Sequence, residues 1–130
     1  MPVAFPSRSR PAPGDAHRIS IRLDLAGGVR VGPGKIALLE EIARSGSISA
    51  AGRVLKMSYR RAWELVEDLN AHLGTAVVAT AAGGSGGGGA KLTEAGAALV
   101  AEYRAIEAQA VAAARPHFAA LARALPSAAS

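Results

Sequence analysis

The sequence predicts a mainly α-helical fold with a small β component, and three observations support this. Apolar residues recur at helical spacing over residues 33–46, 47–72 and 93–126, whereas two shorter segments have strand-like patterns. Half of the residues are hydrophobic, but Ala and Gly supply much of that share, so the core must be small and helix-rich. A chain of 130 residues has room for one domain and an extra helix.

The N-terminal part predicts a tail followed by a small hairpin. Residues 1–17 hold four of the seven prolines with interspersed arginines, and we expect a disordered basic tail that touches phosphates or serves only solubility. Residues 19–24 alternate apolar and polar side chains, which predicts a strand. Gly27 and Gly28 permit a reversal, so residues 29–31 are expected to form a short return strand.

The first predicted helix runs between Pro33, which suits a first helical turn, and Gly46, which suits the position after a helix end. Glu40 and Glu41 are expected on its outer surface. Its predicted inward face consists of Ile36, Leu39, Ile42 and Ala43. We expect this helix to support the next two helices from behind.

Residues 47–72 are the segment around which the chain is organised, and they read as two helices joined by a tight turn. Ser47 and Ser58 are the predicted N-caps, because a serine hydroxyl can accept from a free backbone N–H. Apolar stripes follow each cap: Ile48, Ala51 and Leu55 in the first helix, and Ala62, Leu65, Val66 and Leu69 in the second. The first turn of the second helix carries three side chains that lie mostly off this stripe: Tyr59, Arg60 and Arg61.

Two short helices with long polar donors at the start of the second are typical of a helix-turn-helix. In that motif, the N-terminal residues of the second helix meet base edges in the major groove of DNA. The alternative is an ordinary helical hairpin with a solvated basic edge.

The net charge of +5 is unevenly distributed. Residues 1–35 carry six bases against two acids, and residues 36–82 carry five of each. Those five bases all lie within residues 44–61, which contain no acid: Arg44, Arg53, Lys56, Arg60 and Arg61. A local basic patch of this kind is what neutralisation of phosphates requires.

A second hairpin is predicted after Gly74, the expected end of the second helix of the motif. Residues 75–80 include β-branched side chains, Gly83–Gly89 is a glycine-rich run, and residues 90–93 suit a return strand. A phosphate-binding P-loop would need Gly-Lys-Ser/Thr, which is missing here, whereas an interdomain linker is possible. Strand residues on both sides and the basic Lys91 favour a wing whose glycine amides approach a nucleic-acid backbone.

The C-terminal part predicts a long helix, capped by Thr93 and ended near Arg115 by Pro116, followed by another helix. An apolar seam on the first of these helices suits pairing with a partner chain: Leu99, Tyr103, Ile106 and Ala110. The alternative is that both helices fold back on their own domain. We therefore divide the chain into a tail (1–17), a winged helix-turn-helix domain (18–92) and a helical dimerisation segment (93–126).

Several function classes have little support. There is no Cys, and the three histidines are far apart, so no thiol chemistry or metal-ligand cluster is indicated. No Ser-His-Asp arrangement or intact P-loop appears, and we expect no enzyme activity. No apolar run is long enough to cross a bilayer and no signal peptide is present, so we expect a cytoplasmic protein without membrane contact.

Three segments together, residues 45–51, 58–63 and 80–96, resemble the N-terminal domain of the ModE family. These are bacterial molybdate-responsive transcriptional regulators with a LysR-like winged helix-turn-helix. The joint signal is Ser-Tyr-x-x-Ala-Trp followed by a glycine-rich wing and Leu-Thr-x-x-Gly. The resemblance covers roughly residues 19–115.

The resemblance implies a homodimer that binds double-stranded DNA and regulates transcription. Its implied DNA-binding residues are Ser47, Ser49, Ser58, Tyr59, Arg60, Arg61, Gly84, Ser85, Gly86 and Lys91. Trp63 matches the family's tryptophan, and its helical phase predicts packing before DNA contact. The target promoter, the sense of regulation and any effector are not indicated.

The sequence departs from full-length family members after Leu92. No strand-rich segment follows it, so the molybdate-binding domain of the family is missing and we expect no cofactor. The chain is similar to stand-alone DNA-binding versions of the family. A second hypothesis is a winged-helix interaction adaptor that pairs with another regulator rather than reading DNA itself.

Overall fold

A computed structural model describes residues 17–81 and 89–125. The predicted tail, except His17, and the predicted wing tip, except Gly89, lie outside the described residues. The described elements occur in the order β1 (Leu23–Leu25), β2 (Val29–Val31), α1 (Pro33–Ser45), α2 (Ile48–Val54), α3 (Tyr59–His72), β3 (Val78–Thr80), β4 (Ala90–Leu92) and α4 (Glu94–Ala124). The mainly α fold with two small antiparallel sheets is therefore confirmed.

Residues 21–104 form one compact unit, while residues 17–20 and 105–125 fall in a second unit. The first unit contains the helix-turn-helix and both hairpins. In the second unit, the rings of His17 and Phe118 stack with centroids 5.6 Å apart. No helix among the described residues has the length and apolarity that crossing a bilayer would require.

The first hairpin pairs Leu23 with Val31 and Leu25 with Val29. Its turn contains Gly27 and Gly28, both with positive φ (86° and 81°), as the predicted reversal requires. The first strand begins at Leu23, later than predicted, because its partner strand has only three residues before the chain turns into α1.

Helix α1 begins at Pro33 and ends before Gly46, whose φ is 73° and whose N–H donates to the Ile42 carbonyl. Both predicted boundaries are confirmed. Its fully buried side chains are Ile36, Leu38, Leu39 and Ile42. The expected inward position of Ala43 is wrong, since this residue is exposed. Packing of α1 against α2, β2 and β4 widens its buried arc and shifts it towards Leu38.

The expected outer position of Glu40 is also wrong. This carboxylate is 6% exposed and accepts two hydrogen bonds from Arg104, at 2.8 Å from Nε and 2.6 Å from Nη2. A buried carboxylate is tolerated only with such a partner, and the helical pattern of α1 alone could not reveal one on α4. Beside this pair, the Tyr103 hydroxyl donates to the Ile21 carbonyl at 2.8 Å.

Helix α4 starts where predicted, with the Thr93 hydroxyl accepting from the Gly96 N–H at 3.1 Å. The predicted break at Pro116 is wrong, because the helix continues through this residue to Ala124. Proline removes one helical N–H, but alanines on both sides have the highest helix propensity and keep the flanking turns helical.

Candidate nucleic-acid interface

The two central helices begin with the predicted caps. The Ser47 hydroxyl accepts from the Ala50 N–H at 3.0 Å, and the Ser58 hydroxyl accepts from the Arg61 N–H at 3.0 Å. Each cap satisfies a backbone donor that the helix itself leaves free and thereby defines where the helix starts. Both N-cap predictions are confirmed.

A close approach at Gly52 sets the turn between α2 and α3. A Cβ atom there would lie 3.3 Å from the Met57 carbonyl oxygen and 3.4 Å from the Ala62 Cβ. The Met57 N–H donates to the Gly52 carbonyl at 2.9 Å, and Lys56 has a positive φ of 58°. The tight turn of a helix-turn-helix is therefore present.

Helix α3 buries one face along its length, and the residues of its first turn are exposed. Ala62, Val66 and Leu69 are buried, and Leu65 is half-buried. This agrees with the predicted stripe. The first turn is open to solvent, since Ser58, Tyr59, Arg60 and Arg61 are all exposed.

The basic patch is partly paired within the chain. Arg60 Nε lies 3.0 Å from Glu64 Oε1, and Arg44 forms an ion pair with Glu41. Lys56 and Arg61 form no side-chain hydrogen bond or ion pair with the described residues. These two cations are therefore the freest to meet an anionic partner.

Ser49 has a role that the sequence reading did not assign. Its hydroxyl accepts from Arg53 Nη1 at 3.1 Å, one turn further along α2. Ser49 therefore orients the Arg53 guanidinium on the surface of this helix. The spacing of four residues could have indicated this contact.

The second hairpin has the expected form. Val78 pairs with Leu92 and Thr80 with Ala90, and the Ala81 N–H donates to the Gly89 carbonyl at 2.9 Å. Lys91 lies exposed on β4. The other predicted wing residues, Gly84, Ser85 and Gly86, lie outside the described residues.

Asn70 fixes this hairpin to α3, and sequence reasoning missed it. Its Oδ1 accepts from the Val77 and Val78 N–H groups at 2.8 and 3.2 Å, and its Nδ2 donates to the Val78 carbonyl at 3.1 Å. In the sequence, Asn70 is only a polar residue near the end of a predicted helix, and that position alone does not indicate hydrogen bonds to the following strand. The contact places the hairpin beside the helix that carries Tyr59.

A second fixed point joins the hairpin to α4. A Cβ atom at Gly96 would lie 2.0 Å from the Val77 carbonyl oxygen, so this position requires glycine. The same oxygen accepts from the Thr93 N–H at 3.0 Å. At the other strand, the Ala90 N–H donates to the Gly46 carbonyl at 2.9 Å, which ties β4 to the turn between α1 and α2.

The four residues of the predicted seam differ in exposure. Ile106 is 45% exposed, while Leu99 and Ala110 are half-buried. Tyr103 is fully buried in the unit formed by residues 21–104. Its side chain is therefore covered within its own chain rather than available on the predicted seam.

The described residues contain no group of three or more His, Asp or Glu side chains placed to hold a metal ion. What the exposed first turn of α3 offers instead is a set of hydrogen-bond donors. Arginine guanidinium groups and a tyrosine hydroxyl suit the acceptor groups of base edges and phosphates.

Comparison with known proteins agrees with this geometry. Residues 34–97 match the family described as bacterial regulatory helix-turn-helix protein, lysR family. This range runs from the start of α1 through α2, α3 and the second hairpin into α4.

Several relatives are similar to this chain, among them the following three. One is the molybdenum-pterin-binding protein MopB of Rhodobacter capsulatus, 52% identical over 62% of this chain and 30% of its own length. Another is the molybdenum transport protein ModE of Azotobacter vinelandii, 40% identical over 69% of this chain and 33% of its own length. The third is the DNA-binding transcriptional dual regulator ModE of Escherichia coli (strain K12), 39% identical over 55% of this chain and 27% of its own length.

The chain thus spans about a third of the length of these relatives. The matched residues 34–97 include all three segments that resemble the ModE family, residues 45–51, 58–63 and 80–96. Residues 34–97 of this chain therefore match the lysR-family helix-turn-helix model, and the chain is similar over 55–69% of its length to ModE proteins.

Proposed function

We propose that this chain is a DNA-binding transcriptional regulator of the ModE type that binds duplex DNA as a homodimer. The observation that carries the proposal is the first turn of α3, which exposes Tyr59, Arg60 and Arg61 beside a basic surface. In helix-turn-helix proteins this position of the second helix meets base edges in the major groove. The lysR-family match supports the same reading.

The proposed roles of the polar residues follow from their positions. Arg60 and Arg61 read base edges or phosphates, and Tyr59 lies beside them. Ser58 and Ser47 cap their helices, and the other N–H groups of the first turns are proposed to meet phosphates. Ser49 supports Arg53 through a hydrogen bond, and Arg53 is proposed to contact the DNA backbone.

The second hairpin is proposed to act as a wing. Lys91 is exposed on β4, on the hairpin that Asn70 fixes to α3. Gly84, Ser85 and Gly86 complete the proposed wing contacts. A cation on this hairpin can neutralise a phosphate next to the groove occupied by α3.

Dimerisation is proposed through α4, with Ile106 as the most exposed seam residue and Leu99 and Ala110 beside it. Helix-turn-helix readers commonly pair so that two recognition helices meet two half-sites about one helical turn apart. A single helix of 14 residues such as α3 offers too few contacts for high affinity alone.

DNA binding by this chain is proposed to need no cofactor. The acceptors on DNA are met by side chains and backbone amides of the chain itself. Addition of molybdate to a binding assay should therefore leave the affinity for DNA unchanged.

The proposal is tested by selecting bound fragments from genomic DNA with the purified chain. We expect enrichment of a pseudo-palindromic sequence, and we expect the enrichment to fall with Arg61→Ala. Recovery of fragments in proportion to their abundance would contradict sequence-specific binding. If no DNA is retained while another regulator is captured in a parallel pull-down, the adaptor hypothesis replaces this proposal.

A further inference from the structure

Two large aromatic side chains are exposed next to each other on α3. Tyr59 is 57% exposed and Trp63 is 42% exposed. They are four residues apart, so they occupy neighbouring positions on the surface of the helix. Aromatic side chains of this size are mostly buried in folded proteins, and adjacent exposed ones mark an interaction surface.

These two residues lie on the flank of α3 that faces the second hairpin. Asn70, which binds the backbone of β3, follows Trp63 by seven residues, or about two helical turns. At 3.6 residues per turn, Tyr59, Trp63 and Asn70 therefore share one flank. Arg61 lies on the opposite flank by the same spacing.

We propose that Trp63, together with Tyr59, forms an apolar surface that contacts thymine C5-methyl groups in the major groove. This rests on the proposed function, in which α3 lies in that groove. The thymine methyl is the apolar group that base pairs display there, and apolar side chains recognise it by contact. Trp63 then acts as a specificity residue, in contrast to the packing role that its helical phase alone predicts.

The charges around the two rings favour DNA over an apolar protein partner as the occupant. Residues 44–61 carry five bases and no acid, and Arg60 and Arg61 lie in the same turn as Tyr59. Phosphates held by these cations would bring base edges against the rings. The two flanks of α3 would thus have different roles. Arg61 lies on one flank and binds anionic or acceptor groups, whereas Tyr59 and Trp63 lie on the flank facing the second hairpin and contact methyl groups.

Replacement of thymine by deoxyuridine tests this directly, because it removes only the methyl group. The full chain would be titrated with the duplex obtained by selection, and with duplexes in which each thymine of a half-site is replaced in turn. We expect the affinity to fall about fourfold at one or more thymines, the value for losing contact with one buried methyl-sized group. Trp63→Ala should bind the thymine duplex and the deoxyuridine duplex with equal affinity. Trp63→Phe should retain most of the difference in affinity between these two duplexes.

Fluorescence gives a second readout that needs no variant, since Trp63 is the single tryptophan of the chain. Saturation with the selected duplex should shift its emission and protect it from quenching by iodide. Lys91→Ala serves as a control, because loss of a phosphate contact should weaken both duplexes alike and leave their ratio unchanged. Thermal unfolding of each variant separates loss of fold from loss of contact.

The outcomes distinguish this inference from the proposed function. If the chain binds the selected duplex but every thymine can be replaced without effect, the inference fails while DNA binding stands. The inference is also overturned if the emission of Trp63 and its quenching by iodide do not change when the chain is saturated with duplex. It is overturned as well if Trp63→Ala still binds the thymine duplex more tightly than the deoxyuridine duplex. If the chain binds no duplex even at low ionic strength, the proposed function and this inference fail together.

Discussion

Glu64 holds the guanidinium of Arg60 on the exposed side of α3, with Nε 3.0 Å from Oε1. The Arg60 side chain is 89% exposed and that of Glu64 is 50% exposed, so the pair is weak in water. A carboxylate at the start of a recognition helix repels phosphates and competes with DNA for the arginine. Arg61, which has no such partner among the described residues, is therefore the stronger candidate for base reading.

Replacement of Glu64 by Gln should strengthen DNA binding. The substitution removes the repulsion and frees Arg60, and we expect a gain of about 0.5–1 kcal/mol in binding free energy, the scale of an exposed ion pair. Fluorescence anisotropy with a labelled duplex measures the gain. Glu67→Gln removes the same charge one turn further from the helix start and should have a smaller effect. Weaker binding by Glu64→Gln would show that the pair helps to hold Arg60 in its reading position.

Replacement of Arg61 by Ala should cost about 1–3 kcal/mol of binding free energy and relax preference at one base pair, as expected for loss of a base contact. Competition binding with single-base variants of the site measures both effects. Arg115→Ala removes the same charge from an exposed position of α4 and serves as the control. A uniform loss across all sequences with a lower salt slope would assign Arg61 to a phosphate instead.

At the scale of elements, the second hairpin meets α3 and α4 through a few specific contacts. The Val77 carbonyl, immediately before β3, lies directly against Gly96 and accepts from the Thr93 N–H at 3.0 Å. Asn70 holds the same strand from the side of α3. The second hairpin is therefore positioned by specific hydrogen bonds as well as by apolar burial.

Replacement of Gly96 by Ala should destabilise the fold, because the new Cβ would lie 2.0 Å from the Val77 carbonyl oxygen. Relief of this overlap must move α4 away from β3, and we expect a loss of about 1–3 kcal/mol in the free energy of unfolding. Chemical denaturation measures it. Gly34→Ala is the matched control, since a Cβ there meets nothing within 4 Å and alanine favours the helix. Equal stability of the two variants would contradict this packing.

Replacement of Asn70 by Ala should leave the buried backbone groups of Val77 and Val78 without their partner. We expect a loss of about 1–3 kcal/mol in the free energy of unfolding, the penalty for unpaired buried polar groups. Asn70→Asp keeps an acceptor for the two N–H groups but sets a second oxygen against the Val78 carbonyl, so it should also destabilise the fold. If hydrogen exchange of the Val77 and Val78 amides stayed as slow as in the wild type, Asn70 would not be what holds the strand.

The elements that could be predicted from sequence are those whose causes are local. Ser47, Ser58 and Thr93 cap helices through backbone groups three residues away, and Pro33 and Gly46 bound α1 by their own backbone preferences. Each of these features depends only on residues within a few positions of one another in the sequence. Pro116 shows their limit, because a local breaker was overridden by the helix-forming alanines around it.

The residues that could not be predicted depend on partners far along the chain. Glu40 is buried because Arg104 reaches it from 64 positions away, and Tyr103 is buried with its hydroxyl on the Ile21 carbonyl, 82 positions away. Periodicity assigns a residue to a face, but it does not say what covers that face. For the same reason, helical spacing groups Tyr103 with Leu99 and Ile106 on α4, but it does not show that Tyr103 is buried within the chain.

At the scale of the whole molecule, the proposed function requires two copies of α3 on one duplex. The net charge of +5 is modest, and internal pairing of Arg44 and Arg60 reduces the cations that are free to meet phosphates. One chain should therefore bind DNA weakly, and affinity should arise from two recognition helices held together. Specific binding should also weaken steeply as salt rises.

The most direct test of this account is a sedimentation titration of the full chain with the selected duplex at two salt concentrations. We predict a complex of two chains per duplex, with an affinity that falls as salt rises, and no such complex when the half-sites are scrambled. Failure to bind duplex DNA at low salt, or saturation with a single chain on the intact site, would contradict it.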